Sequence, residues 1–155
     1  MLIAASASSS PDCPSDGGRV LCGGGRPEGL PAHLAEGSFI RPTVLEGLAH
    51  DSAFAQTEVF GPVASLHPFD DEAEAVALAN GTRFGLAASV WTADGARLQR
   101  VAQALETGMV WANCWLHRDL RVPFGGVKDS GIGREGGMYS IECYSQVKNI
   151  CQKFR

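Results

Sequence analysis

The chain lacks several features that mark common classes of protein. Its 155 residues contain no apolar stretch long enough to cross a bilayer, so we expect no membrane-spanning helix. No run of basic residues is present, and 13 Lys and Arg stand against 17 Asp and Glu, so binding to nucleic acid is not expected. Residues 1–7 are apolar but few and carry no positive start, so we expect no signal peptide.

Cysteine and histidine residues are not arranged as metal ligands or as a disulfide framework. The four histidines are scattered, and the five cysteines are odd in number and irregularly spaced. Free thiols in a reducing compartment fit this pattern, so we expect a cytoplasmic protein without a bound metal. Cys114 has no histidine or other base beside it in the sequence, which favours a small packing residue over a nucleophile.

What the chain does contain is the composition of a folded domain. Hydrophobic residues make up 45% and charged residues 19%, and 155 residues suffice to bury a core. Residues 1–16 predict a loose, disordered tail. Glycine and proline interrupt residues 17–37 and leave Arg19–Cys22 as a plausible short strand.

Strand and helix patterns alternate from residue 39 onward, which is typical of an α/β fold with a largely parallel sheet. Asp70 or Asp71 can cap a helix that runs through Asn80, and Asp94 can cap a second helix that stops at Gly108. Pro42 places the first predicted strand at a sheet edge or a bulge. Strands are predicted over residues 39–45, 63–69, 86–91, 109–113 and 141–154.

Each predicted helix carries apolar residues at helical spacing. In the first helix they predict one buried face, made of Ala73, Val76, Ala77 and Ala79. In the second they are Leu98, Val101, Ala102 and Leu105.

One glycine motif is expected to be coincidental. Residues 131–136 match G-x-G-x-x-G, but a dinucleotide fingerprint requires a strand before it, a helix after it and an acidic residue about twenty positions on. A polar loop precedes this match, so we assign it no cofactor.

A short segment between two predicted strands has residues suited to a nucleotide, Glu58-Val59-Phe60-Gly61-Pro62. Glycine and proline are typical of a simple turn, and Phe60 has the alternative of joining the core. The functional interpretation is that Glu58 accepts hydrogen bonds from ribose hydroxyls while the Phe60 ring packs against a flat heterocycle.

These residues closely resemble a motif from the last third of aldehyde dehydrogenases, and a second such motif follows at Pro123-Phe124-Gly125-Gly126-Val127-Lys128-Asp129-Ser130-Gly131-Ile132-Gly133-Arg134-Glu135. The resemblance covers roughly residues 17–154 and includes Phe84-Gly85-Leu86 and Trp111-Ala112-Asn113. It implies that residues 17–140 are part of the family's catalytic domain. It also implies that residues 141–155 hold an oligomerisation strand, which adds to the sheet of a neighbouring subunit.

The resemblance further implies roles for single residues. Glu58 and Phe60 hold the nicotinamide riboside of NAD, with NADP as the alternative, and Phe124 lines the substrate tunnel. The stretch from Lys128 to Glu135 is mainly structural. The implied activity is oxidation of a small-molecule aldehyde to the acid, by a parent enzyme that forms a homo-oligomer.

Residues 113–123 are more particular, because they resemble the branch that oxidises 2-aminomuconate or 2-hydroxymuconate semialdehyde. These substrates carry a carboxylate, for which an arginine is a planar, bidentate partner. Arg118 is the first candidate for this contact and Arg121 the second, with solvated loop cations as the alternative for both. Trp115 is a candidate for stacking on the conjugated substrate or, equally, for a core anchor.

The family's catalytic cysteine, general-base glutamate, oxyanion-hole asparagine and adenine site match no segment of the sequence, so we name no catalytic residue. We therefore expect a truncated piece that oxidises no aldehyde alone and exposes apolar surface. Two other interpretations stay open. One is a non-catalytic homologue that binds full-length subunits through its terminal strand, and the other is an α/β domain that binds an acidic metabolite.

Overall fold

The computed structural model describes residues 2–5 and 17–154 of the chain. Contacts between residues divide the chain into two compact units, Met1–Gly81 and Thr82–Arg155. The α/β class predicted from the sequence is confirmed in the alternation of helices and strands along the described residues.

A four-stranded sheet organises the first unit, in the order β1-β4-β3-β2. Its strands are β1 (Leu2–Ala5), β2 (Arg19–Cys22), β3 (Thr43–Glu46) and β4 (Val63–Leu66). β3 and β4 run parallel, while β2 and β1 pair antiparallel on their outer sides. Helix α1 (Glu72–Asn80) follows β4, and a single 3-10 turn at Ala32–Leu34 precedes β3.

The core of this unit is formed by the two inner strands and the loop after β3. Alternate residues of β3 and β4 are buried, as expected where one face of a sheet is covered. Leu45, Leu48 and Val63 form the buried cluster, and the partly buried side chains of Phe54 and Val59 pack against it. Phe54 and Val59 therefore help to cover the sheet.

The position of Pro42 differs from the prediction. The strand predicted over residues 39–45 begins only at Thr43, after the proline, and β3 lies inside the sheet instead of at its edge. Proline has no N–H to donate to a ladder, so Pro42 stays outside the pairing. The irregular register falls in β2, between Val20 and Cys22, where Gly23 follows with a φ of 82°. A Cβ at Gly23 would collide with the Pro42 carbonyl.

The prediction of a loose tail over residues 1–16 is wrong for Leu2–Ala5, which form β1. β4 offers an unpaired edge on the side away from β3, and an extended backbone satisfies its N–H and C=O groups. Residue 1 and residues 6–16, with Cys13 among them, lie outside the described residues.

Both ends of α1 lie where the sequence predicts them, but the face predicted to be buried is not. The Asp71 side chain accepts a hydrogen bond from the Glu74 N–H, and the Gly81 N–H donates to the Ala77 carbonyl at the other end. No residue of the helix is buried, and Ala73 and Ala77 are exposed. Val76 and Ala79 are half-buried. A stripe made mostly of alanine gains little from burial, so the helix rests on the unit's surface.

The second unit contains a strand-helix-strand motif and a short antiparallel pair of strands. β6 (Ala87–Val90) and β7 (Met109–Ala112) run parallel, with α2 (Gly95–Ala104) as the crossover between them. β5 (Phe84–Gly85) pairs antiparallel with β8 (Val127–Lys128), and α3 (Gly137–Tyr144) ends the ordered elements. Asp94 caps α2 as predicted, by accepting from the N–H groups of Ala96 and Arg97.

The sheets are mixed, which corrects the prediction of a largely parallel sheet. Two pairings are parallel, β3 with β4 and β6 with β7, and three are antiparallel in the described part of the chain. Parallel pairing appears where an intervening segment is long enough to cross over. Strand predictions were also too long: residues 67–69 and 86 lie outside strands, and α2 ends at Ala104.

The predicted strand over residues 141–154 is absent from the described chain. Residues 141–144 belong to α3, and residues 145–154 have no regular structure and are exposed. A strand needs a partner edge for its backbone groups, and residues 145–154 pair with none among residues 2–5 and 17–154. None of the described helices is long and apolar enough to cross a membrane.

We expect Gly108→Ala to destabilise the chain, because Gly108 lies where a Cβ would collide with the Gly125 carbonyl oxygen. Overpacking of this kind lowers the free energy of unfolding by about 2 kcal/mol. The measurement is urea unfolding followed by tryptophan fluorescence. Gly95→Ala is the matched control, since nothing lies within 4 Å of a Cβ there. It should leave stability unchanged or raise it by up to about 1 kcal/mol. Equal midpoints for the two variants would contradict the close approach.

Candidate nicotinamide and substrate site

The segment around Glu58 presents its side chains to two different environments. Val59 packs against the core of the first unit, whereas Glu58 and Phe60 on either side of it are exposed. The Phe60 side chain is 88% exposed and its backbone has a φ of 55°, a conformation that is rare outside glycine. The alternative that Phe60 belongs to the core is therefore wrong, and its ring is available to a ligand.

Hydrogen bonds hold the base of this segment. Gln56 Nε2 donates to the carbonyls of His50 at 2.7 Å and Gly81 at 2.9 Å. On the other side, the Thr43 N–H donates to the Pro62 carbonyl at 2.8 Å, which ties the segment to the start of β3. Glu58 and Phe60 thus stand on a fixed backbone and not on a free loop.

The Glu58 carboxylate accepts no hydrogen bond from the described residues, so all of its acceptor positions face outward. A carboxylate with open lone pairs suits the two adjacent hydroxyls of a ribose. An exposed aromatic face next to it suits a flat ring. The two residues therefore fit a nicotinamide riboside in chemical type.

The loop after β7 is closed at its start by Asn113. Its side chain bridges to the backbone at the end of β6, accepting from the Thr92 N–H at 2.9 Å and donating to the Thr92 carbonyl at 2.9 Å. Asn113 and Leu116 both have positive φ, 51° and 54°. Residues other than glycine with positive φ cost free energy, and such residues are concentrated at functional sites.

The sequence leaves Trp115 two alternatives, a core anchor and a ring that stacks on the substrate, and the structure has one buried and one exposed tryptophan here. Trp111 is 5% exposed, and its Nε1–H donates to the His117 carbonyl at 2.7 Å, so it anchors the loop. Trp115 is 61% exposed and lies against Trp111, with 5.0 Å between ring centroids. The core anchor is therefore Trp111, and Trp115 presents its ring outward. The sequence signal for this anchor was the position of Trp111, a large aromatic residue, within the predicted strand over residues 109–113.

The two candidate arginines have different partners. Arg118 Nη2 donates to Glu135 Oε1 at 2.5 Å, and its guanidinium carbon lies 4.3 Å from the centroid of the Phe124 ring. Arg121 forms a paired contact with Asp119, with Nε to Oδ1 at 2.9 Å and Nη2 to Oδ2 at 2.5 Å. Hydrogen bonds from the Arg121 side chain, and next from its N–H, hold the pKa of Asp119 below its ordinary value. The same side-chain bond raises the pKa of Arg121.

Phe124 is half-buried and fixed by its backbone. Its N–H donates to the Glu135 carbonyl at 2.8 Å, and the Glu135 N–H donates back to the Phe124 carbonyl at 2.8 Å. Glu135 therefore contacts two of the four predicted substrate residues, Phe124 through the backbone and Arg118 through the side chain. Glu135 is not among the predicted site residues, because the resemblance implies that the stretch from Lys128 to Glu135 is mainly structural.

The predicted site residues fall in two groups. Glu58 and Phe60 lie in the first unit, whereas Trp115, Arg118, Arg121 and Phe124 lie in the second. Cys114 is half-buried, and its carbonyl accepts from the Ser89 hydroxyl at 2.9 Å. The glycine motif at residues 131–136 follows a two-residue antiparallel strand, so it is not part of a parallel strand-helix unit. Among the described residues, no three potential ligands from His, Cys, Asp and Glu cluster around a metal position.

Known proteins resemble this chain in sequence. The sequence pattern of the aldehyde dehydrogenase family matches residues 10–150. The 2-hydroxymuconic semialdehyde dehydrogenase of Pseudomonas putida is 54% identical over 138 residues, which are 89% of this chain and 28% of that protein. The 2-aminomuconic semialdehyde dehydrogenase of Danio rerio is 47% identical over 140 residues, or 90% of this chain and 29% of that protein.

Solved structures agree with the fold. An aldehyde dehydrogenase of Mycobacterium tuberculosis complexed with NAD+ superposes with a TM-score of 0.77 and 45% identity, covering 84% of this chain and 26% of that one. Betaine aldehyde dehydrogenase of Staphylococcus aureus in complex with NAD+ gives a TM-score of 0.78 and 41% identity, covering 83% and 25%.

The chain thus spans little more than a quarter of the length of these relatives, 28% in the case of the Pseudomonas putida protein. Because the family pattern extends over nearly all of the 155 residues, membership does not depend on any one motif. The chain belongs to the aldehyde dehydrogenase family.

Proposed function

We propose that this chain supplies the nicotinamide contacts and the substrate-carboxylate contact of an NAD-dependent dehydrogenase that oxidises a muconic semialdehyde to the acid. The observation that carries the proposal is the exposed pair Glu58 and Phe60 on a fixed backbone, together with Arg118 beside Phe124. Relatives named for muconic semialdehydes support the substrate class. NADP is the alternative to NAD, because no residue contacting the adenosine ribose has been assigned.

NAD supplies the acceptor for the hydride that leaves the substrate. The chain's own contribution is orientation: Glu58 accepts from the ribose hydroxyls, and the Phe60 ring covers one side of the nicotinamide. Orientation of this kind raises the rate by holding the reacting groups in one geometry before the reaction begins. Two solved relatives in complex with NAD+ support the assignment of this cofactor.

Arg118 is better placed than Arg121 to bind the substrate carboxylate. Arg121 already has its Nε and Nη2 donors on Asp119, and its side chain is 88% exposed. Arg118 uses Nη2 alone for Glu135 and is 38% exposed, so it keeps donors in a more sheltered position. Trp115, exposed beside the buried Trp111, offers a face to the conjugated chain of the substrate.

The nucleophile and the general base are proposed to come from other segments of the enzyme and not from the described residues of this chain. A dehydrogenase of this family needs a thiolate to attack the aldehyde and a base to activate water. Cys114 is half-buried, and no histidine or carboxylate is hydrogen-bonded to its thiol among the described residues. The remaining length of the relatives is the expected source of both groups.

A second candidate function is the binding of full-length subunits without catalysis. It is favoured by the terminal segment, whose apolar side chains are almost fully exposed: Val147 at 99%, Ile150 at 81% and Phe154 at 82%. An extended segment with such side chains is suited to pairing with a sheet edge of another subunit. The same feature supports a homo-oligomer in the complete enzyme.

The test is a chimera in which this chain replaces the aligned 138 residues of the Pseudomonas putida enzyme. We expect the chimera to form NADH with 2-hydroxymuconic semialdehyde, because the replaced part supplies contacts and not the reacting groups. The purified 155-residue chain alone should form none. A chimera that assembles like the parent but has no activity would contradict the proposal. Turnover by the chain alone would contradict its dependence on further segments.

Glu58→Gln in the chimera should raise the KM for NAD and lower kcat, together by about tenfold in kcat/KM, because a charge-assisted hydrogen bond to the ribose is lost. Steady-state kinetics at varied NAD concentration measure the effect. Glu36→Gln is the control, since Glu36 is another exposed glutamate of the first unit. If both variants kept the parent values, Glu58 would have no part in cofactor binding.

A further inference from the structure

We propose that Glu135 is a positioning residue for the substrate-carboxylate contact, holding the Arg118 guanidinium so that its remaining N–H donors meet the ligand. The inference rests on the proposed function and assigns a role to a residue outside the predicted contact set. It is carried by three groups that fix one another: the carboxylate of Glu135, the guanidinium of Arg118 and the ring of Phe124.

The backbone gives Glu135 a defined place. Reciprocal hydrogen bonds of 2.8 Å join it to Phe124. Gly136, the next residue, has a φ of 99°, and a Cβ there would collide with the Val122 carbonyl. The Gly137 N–H then donates to the Leu120 carbonyl at 3.2 Å. The chain from Glu135 to Gly137 is therefore held against residues 120–124, the end of the loop after β7.

Two contacts from different directions orient Arg118. Glu135 Oε1 binds Nη2 at one edge of the guanidinium, at 2.5 Å. The Phe124 ring lies against the guanidinium at 4.3 Å, a distance at which a cation is attracted to an aromatic ring. An arginine side chain has many rotamers, and an edge contact combined with a ring contact selects among them.

The contact with Glu135 leaves Arg118 able to bind another carboxylate. Nε and Nη1 take no part in the ion pair, and Nη2 carries a second hydrogen. An incoming carboxylate can therefore still be bound by two donors. The Asp119 pair of Arg121 differs, because it occupies Nε and Nη2 together.

The opposite role for Glu135 is that of a placeholder, a carboxylate that occupies the ligand's position and must leave. The single-nitrogen contact and the backbone link to Phe124 favour positioning, since a placeholder needs freedom to move away. The two roles predict opposite signs: removal of the Glu135 carboxylate weakens ligand binding if it positions Arg118 and strengthens binding if it competes.

The experiment is a titration of the ¹⁵N-labelled 155-residue chain with trans,trans-muconate, a stable conjugated dicarboxylate. Chemical shifts of the arginine Nε–H groups and the tryptophan indoles report binding, and the same spectra report folding. We expect Glu135→Ala to raise the Kd by about tenfold. Glu135→Gln should fall between it and the wild-type chain, because the amide oxygen still accepts from Nη2.

The matched control is Asp129→Asn. Asp129 forms an ion pair of 3.0 Å with Arg83, which in turn lies 5.2 Å from the Phe84 ring, so it repeats the same arrangement elsewhere in the second unit. This control should leave the Kd unchanged. In an Arg118→Ala background, Glu135→Ala should cause no further loss, because Glu135 acts only through Arg118.

Several results would overturn the proposal. These are tighter binding by Glu135→Ala or Glu135→Gln, an unchanged Kd in Glu135→Ala, a further loss in the Arg118→Ala background, and absence of muconate binding by the wild-type chain. The titration needs no turnover, so its outcome is separate from the activity of the chimera. An inactive chimera with muconate bound as expected would refute the dehydrogenase proposal and leave the role of Glu135 standing.

Discussion

The paired backbone hydrogen bonds between Phe124 and Glu135 are the constraint on which the proposed substrate contacts of this chain depend. They join two positions that are 11 apart in the sequence and bring the glycine-rich residues between them into a closed loop. Phe124 then carries a ring to one face of Arg118, and Glu135 carries a carboxylate to its edge. Without that bridge, neither side chain would have a fixed position relative to the arginine.

Small residues make this closure possible. Gly108, Gly125 and Gly126 lie where a side chain would meet backbone or side-chain atoms of the second unit, and Gly136 combines a close approach with a positive φ. This glycine-rich stretch is one of several motifs that carry the resemblance to the family. Its match to G-x-G-x-x-G is not part of a parallel strand-helix unit, and the physical role of its glycines here is to let backbone segments approach one another.

The chain leaves much apolar surface uncovered for its size. Among the described residues, only Leu45, Leu48, Val63 and Trp111 are buried hydrophobic residues, whereas large side chains such as Leu120, Ile132 and Tyr144 are at least 74% exposed. Exposed apolar area on this scale is typical of surfaces that contact other protein. This agrees with a chain that spans 28% of a relative's length. It also explains why helix α1, with its alanine-rich stripe, buries no residue.

The helix caps were predictable from the sequence, whereas the pairing of strands and the contacts between residues distant in sequence were not. Asp71 and Asp94 were found as helix caps because a cap depends on residues three positions away or fewer. Nothing in the sequence indicated that residues 2–5 would pair with β4, or that residues 145–154 would pair with no strand of the described chain, because pairing depends on distant edges. Arg118 was predicted as a candidate from its type and position, and that role stays a prediction, whereas its contacts with Glu135 and Phe124 depend on the bridge between them. The two alternatives for Trp115 stayed open for the same reason: the fold decides burial, and it buries Trp111 and leaves Trp115 exposed.

The most direct test of the account is the selectivity of the chimera for carboxylated over uncharged aldehydes, compared between Arg118→Ala and Arg83→Ala. Both arginines have a carboxylate partner and an aromatic neighbour, so the variants lose similar contacts. Arg118→Ala should lower kcat/KM for the carboxylated substrate by about tenfold or more and should change kcat/KM for an uncharged aldehyde little. Arg83→Ala should preserve the ratio. An equal loss for both aldehydes in Arg118→Ala, or the same change of ratio in the two variants, would contradict the assignment of Arg118 to the substrate carboxylate.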